Sequence, residues 1–197
     1  MREKREAGRE MEGDELAFCK AGDRLLLAAL KEELSFTEAV DAFRRLEAEF
    51  VVRGCDDEWD VRETRRRIAE YILRVADAHH PPFEVCRQAW EDIVRLGFSD
   101  KHIERVMTWY FAECCRYDEK PEEGLAVLLP LIAEFERGLE EARAAESSTE
   151  FYEYHLESLR KLRDALLAQQ KGEQVPGKTT RRLDEAHCGD PEEDETP

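Results

Sequence analysis

Apolar positions in this chain recur three and four residues apart, the spacing of one helix face, in segment after segment. Leu26, Leu30 and the leucines beside them mark a first helix over roughly 14–33. Ser35 or Phe36 separates it from a second, which carries Phe36, Ala39, Phe43 and Leu46 and runs to Gly54, a residue suited to stopping a helix. A third starts near Asp57 or Trp59, carries Ile68, Tyr71, Ile72 and Val75, and ends at His79-His80 because Pro81-Pro82 cannot continue it. The fourth carries Phe83, Cys86, Trp90 and Ile93 and stops at Gly97. Ser99 or Asp100 caps the fifth, whose stripe is Ile103, Val106, Met107, Tyr110, Phe111 and Cys114. Pro121 opens the sixth, which is apolar nearly all round from Leu125 to Ile132 and is therefore expected to be the most enclosed. Pro130 inside it predicts a kink or a break. After Ser147-Ser148-Thr149, the seventh turns Tyr152, Leu156, Leu159, Leu162 and Leu166 one way and Glu153, Glu157, Arg160, Lys161 and Arg163 the other. No segment alternates as a strand would. The expectation is an all-α fold of about seven helices in stacked antiparallel hairpins, the last helix serving as a cap.

The stripes themselves repeat. Phe36, Ala39, Phe43 and Leu46 recur 47 residues later as Phe83, Cys86, Trp90 and Ile93. A third copy, 38 residues further on, keeps Gly124, Leu128 and Leu131, with Pro121 in the leading position. Each has a small residue, a bulky one four later and an aliphatic one three after that, a pattern that lets one helix lie close against a neighbour.

Composition divides the chain into three parts. Residues 1–13 are mostly charged without an apolar stripe, and 172–197 close on an acidic run around Pro191. Both ends lack the apolar content that offsets ordering entropy and are expected to be disordered tails around a helical domain at 14–171. Net charge is −17, of which −5 lies in the C-terminal tail and none in residues 1–13. An acidic body repels phosphate, which argues against nucleic acid or an anionic membrane as the main partner and would favour a basic one; the same charge also keeps a helical protein soluble. The longest apolar run, Leu125 to Ala133, is too short to cross a membrane, and the charged N-terminus is no secretory signal, so the expected compartment is the cytoplasm. Six scattered cysteines without a Cys-x-x-Cys pair are expected to be reduced thiols.

No motif specifies a chemistry. His79 and His80 are adjacent, about 100° apart on a helix, and cannot easily face one metal. They suit a polar helix end, where His favours the dipole. The sequence has no Gly-x-Ser-x-Gly, no phosphate-binding Gly-rich loop and no metal-ligand spacing, so no catalytic, cofactor or metal residue is assigned.

Short helices in pairs, carrying the stripe Phe36-x-x-Ala39 followed by Phe43 and Leu46, resemble tetratricopeptide-like repeats over about residues 16–136. In the third pair Phe111-Ala112 stands twelve before Gly124, the offset of that family. The resemblance implies a concave groove lined by the first helix of each pair. Its positions here map to Trp109, Glu113, Arg116 and Tyr117, off the apolar stripe, and these are expected to form an exposed patch that binds a protein or peptide. The function expected is a non-enzymatic interaction module, a scaffold or adaptor, with neutralisation of a basic partner as one form of it. The alternative is an all-α enzyme or metal-binding protein using scattered His, Cys and Glu, which would need at least three of His79, His80, His102, His155 and the acids to meet in one pocket.

Overall fold

The computed structural model describes residues 2–52 and 58–173, and for 2–15, 51–52 and 58–60 it describes the backbone alone. Among these residues seven helices follow one another: α1 (Arg2–Leu30), α2 (Phe36–Val52), α3 (Glu58–His79), α4 (Phe83–Leu96), α5 (Lys101–Tyr117), α6 (Pro121–Ala144) and α7 (Glu150–Gln170). Among the described residues there is no strand. Helix α1 includes residues 2–13, which carry no apolar stripe; of the expected tail at 172–197, residues 174–197 lie outside the described residues.

Local chemistry sets the helix ends. Ser35 and Glu38 form a reciprocal cap at α2: Ser35 N–H donates to the Glu38 carboxylate at 2.9 Å and Glu38 N–H to Ser35 Oγ at 3.4 Å. Gly97 ends α4 with φ +83°, a conformation that a side chain disfavours. Asp100 Oδ1 accepts from Ile103 N–H at 2.9 Å and starts α5. Pro121 opens α6, where its missing N–H costs nothing. Pro130 does not break α6, which is one helix with the proline on its solvent side.

Consecutive helices pack as hairpins, and the odd-numbered ones also pack in succession, α1 on α3, α3 on α5 and α5 on α7. The even-numbered helices each bridge two odd ones and make no extensive contact with each other among the described residues. The repeated stripes face this odd row. Ala39, Phe43, Cys86, Ile93 and Leu128 are fully or almost fully buried. Phe43 stacks on Tyr71 of α3 with ring centroids 5.3 Å apart, and Trp90, at the same place in its stripe, stacks on Phe111 of α5 at 5.0 Å.

The most enclosed element is α5, not α6. Every residue from Val106 to Arg116 is buried, on all faces. Helix α6 leaves Leu129 47% exposed. The cause is position: α5 contacts α3, α4, α6 and α7, whereas α6 lies in the outer row against α5 and α7 and keeps one side wet.

Candidate functional site

The four residues expected to form an exposed patch on α5 do not do so. Trp109 is 7% exposed, Glu113 4% and Arg116 5%; Tyr117 is half-buried. Helix α7 lies over this face of α5, and Gln169 Nε2 donates to the Arg116 carbonyl at 2.7 Å. Arg116 Nε donates to Glu113 at 2.7 Å, and its guanidinium carbon lies 4.4 Å from the centre of the Tyr117 ring. The Tyr117 ring in turn meets that of His80 at 3.9 Å. Removing two charges from water is tolerable only because they are paired and hydrogen-bonded, so these groups hold α5 in the core. Sequence reasoning placed the apolar stripe correctly and took the opposite face as free, without the covering helix.

Trp109 still reaches a surface, from beneath. It lines a cleft between α5, α6 and α7 with Arg105, Leu131, Phe135, Phe151 and His155, among others. The N-terminal turns of α7 build its outer wall. Phe151 stacks on Phe135 at 5.9 Å, and His155 meets Phe151 edge-on at 4.6 Å. Phe151 is nonetheless 48% exposed and Tyr154 41%. On the opposite wall Arg105 Nη2 donates to Glu134 at 2.6 Å, and its guanidinium carbon sits 4.9 Å over the Phe135 ring. That bond holds the Glu134 carboxyl below the usual range. The cleft is open to solvent and leaves about 40 Å³ for the centres of water-sized groups. Phe151, His155 and Ser158 were legible as a second stripe beside the inward one of α7, four and three residues apart. An aromatic residue leading that wet face was the available signal.

A second groove runs between α2 and α4 over Ala69 and Ile72 of α3. Its rim charges are engaged locally: Arg44 with Glu47, Arg87 with Glu84 and Arg95 with Asp92. It exposes no aromatic ring.

The four histidines among the described residues fall in three places. His79 Nε2 donates to the Ala29 carbonyl at 2.8 Å, tying α3 to α1. His80 lies on Tyr117, and among the described residues only His102 and His155 share a cleft. Among the described residues, no three of His, Cys, Asp and Glu are placed to hold a metal ion. Cys86, Cys114 and Cys115 are buried thiols. A hydrogen bond with Cys86, reinforced by burial, pushes the Cys114 thiol up, and burial does the same to Cys115. Thiols held protonated in this way are poor nucleophiles. No helix among the described residues is long and apolar enough to cross a membrane.

Comparison with protein-family models, with curated proteins and with solved structures gives no significant match.

Proposed function

We propose that this chain is a non-enzymatic interaction module, a tetratricopeptide-like helical scaffold that seats an apolar side chain of a protein or peptide partner in the α5–α7 cleft. The observation that carries this reading is Phe151, half exposed at the lip of a cleft floored by Trp109. Trp109 and Arg105 beside a small apolar slot are of the residue types enriched at interface anchor points. Phe151 stays 48% exposed although it packs on Phe135, and Tyr154 41%; such aromatic surface costs solubility unless a partner covers it. The matched stacking of Phe43 on Tyr71 and Trp90 on Phe111 supports a repeat-like relation between successive hairpins. The net charge of −17 favours a partner that is basic overall.

The test is selection of a displayed random peptide library on the purified full chain. Selected peptides should share an apolar anchor residue, and Phe151→Ala together with Tyr154→Ala should abolish their binding while the helical circular dichroism stays unchanged. Peptides without a common anchor, or binding that survives both substitutions, would count against the cleft as the anchor site.

A further inference from the structure

We infer that the side chain seated in the α5–α7 cleft comes from a partner peptide in which an apolar residue stands directly beside an Asp or Glu. This deepens the reading of the cleft as an anchor site and rests on it.

The titratable groups lining the cleft are His102, Arg105 and His155, with no acid among the lining residues. That runs against the composition, since the chain has 47 acids and 30 Lys plus Arg. Arg105 is held in place by its bond to Glu134 and its seat over Phe135. Glu134 engages one arm of it, and 28% of the side chain stays exposed. A fixed, part-exposed guanidinium beside an apolar slot suits a carboxylate adjoining an apolar group, because hydrogen bonds to charged groups are short and strong where water is thin. The acidic body acts on the approach of a partner but is screened beyond a Debye length of about 8 Å at physiological salt. Residues in contact with the bound side chain are not screened in this way. A partner basic overall can therefore present an acid at the anchor.

The experiment uses the isotope-labelled full chain and follows the Trp109 indole N–H by NMR. Three blocked peptides are titrated that differ only in the two residues after a single Leu: Asp-Asp, Asn-Asn or Lys-Lys. The expected order is acidic, then neutral, then basic, with the acidic peptide about tenfold tighter than the neutral one. Arg105→Gln should shrink that preference to within about twofold while the neutral peptide still binds. Should Arg105→Gln fail to fold, Glu134→Gln serves instead: it releases Arg105 and should widen the preference. Equal binding of the three peptides, or tightest binding of the basic one, overturns the inference and leaves the anchor reading standing. A preference untouched by the substitution at Arg105 or Glu134 overturns it as well. If no peptide shifts Trp109, the anchor reading falls and the inference with it.

Discussion

The ring of Tyr71 on α3 fills the space beside Gly22 on α1, where a Cβ would lie 2.4 Å from Tyr71 Cε2. The ring cannot easily move aside. Its hydroxyl donates to Asp23 at 2.8 Å, and its face is stacked on Phe43 of α2. Burial, with the Asp23 bond, pushes the Tyr71 hydroxyl well above the usual tyrosine range, so it stays a donor. One side chain thus fixes how α1, α2 and α3 meet.

Gly22→Ala is therefore expected to lower the melting temperature. Helix propensity alone would favour alanine by about 1 kcal/mol. Crowding a fixed ring costs about 1–3 kcal/mol, and this term should win. Thermal unfolding by circular dichroism measures the sign; a rise would mean that α1 shifts freely on α3.

Trp109→Ala should cost about 3–5 kcal/mol of stability, because the ring is core as well as cleft floor. Beneath the same helix, Arg116→Met alone should cost about 3 kcal/mol by leaving Glu113 charged and buried. Replacing Glu113 by Gln in the same chain should recover part of that loss. Urea titration of the single and double variants forms the cycle, and additive losses would show the two groups to be uncoupled.

Asp100 offers a pH test. Its bond from Ile103 N–H holds the carboxyl below the usual range, so the folded state binds its proton less readily than the unfolded state. The stability it adds is present above the ordinary Asp value of about 3.9 and is lost as pH falls through the lowered folded value. Asp100→Ala should cost about 1 kcal/mol near neutral pH, and the gap to the parent should close progressively in acid. Paired urea titrations across pH would show this; a gap constant in acid would assign the loss to something other than the charged cap.

Pro130 is exposed on α6 and leaves the Ala126 carbonyl without its helical N–H. Pro130→Ala should restore that bond and raise stability by as much as about 3 kcal/mol. A melting temperature that stays level or falls would show that α6 depends on the proline for its fit to α5 and α7.

Element boundaries were legible because the forces that set them are local. Ser35 with Glu38, Gly97, Asp100 and Pro121 act within one helical turn, so reading the chain placed these ends within a residue or two of where they lie. The inward stripes were legible too, since a face with Phe43, Cys86 or Leu128 on it has to be covered. The sequence misled where enclosure depends on how many neighbours a helix has. Leu125 to Ile132 look more apolar than α5, yet α6 keeps a wet side.

The amino-acid order by itself determined the seven helices among the described residues, most of their ends (α1 starts at Arg2, not near residue 14) and the apolar face each turns inward, through capping and periodicity that span only a few residues. Tertiary structure alone decided that Trp109, Glu113 and Arg116 are covered, because α7, some 40 residues further along, closes over a face that α5 gives no sign of burying. It also brought His102 and Arg105 of α5 to Phe151 and His155 of α7. Side chains so far apart in the chain meet only when two helices choose each other, and that choice is made by the shape of the whole core.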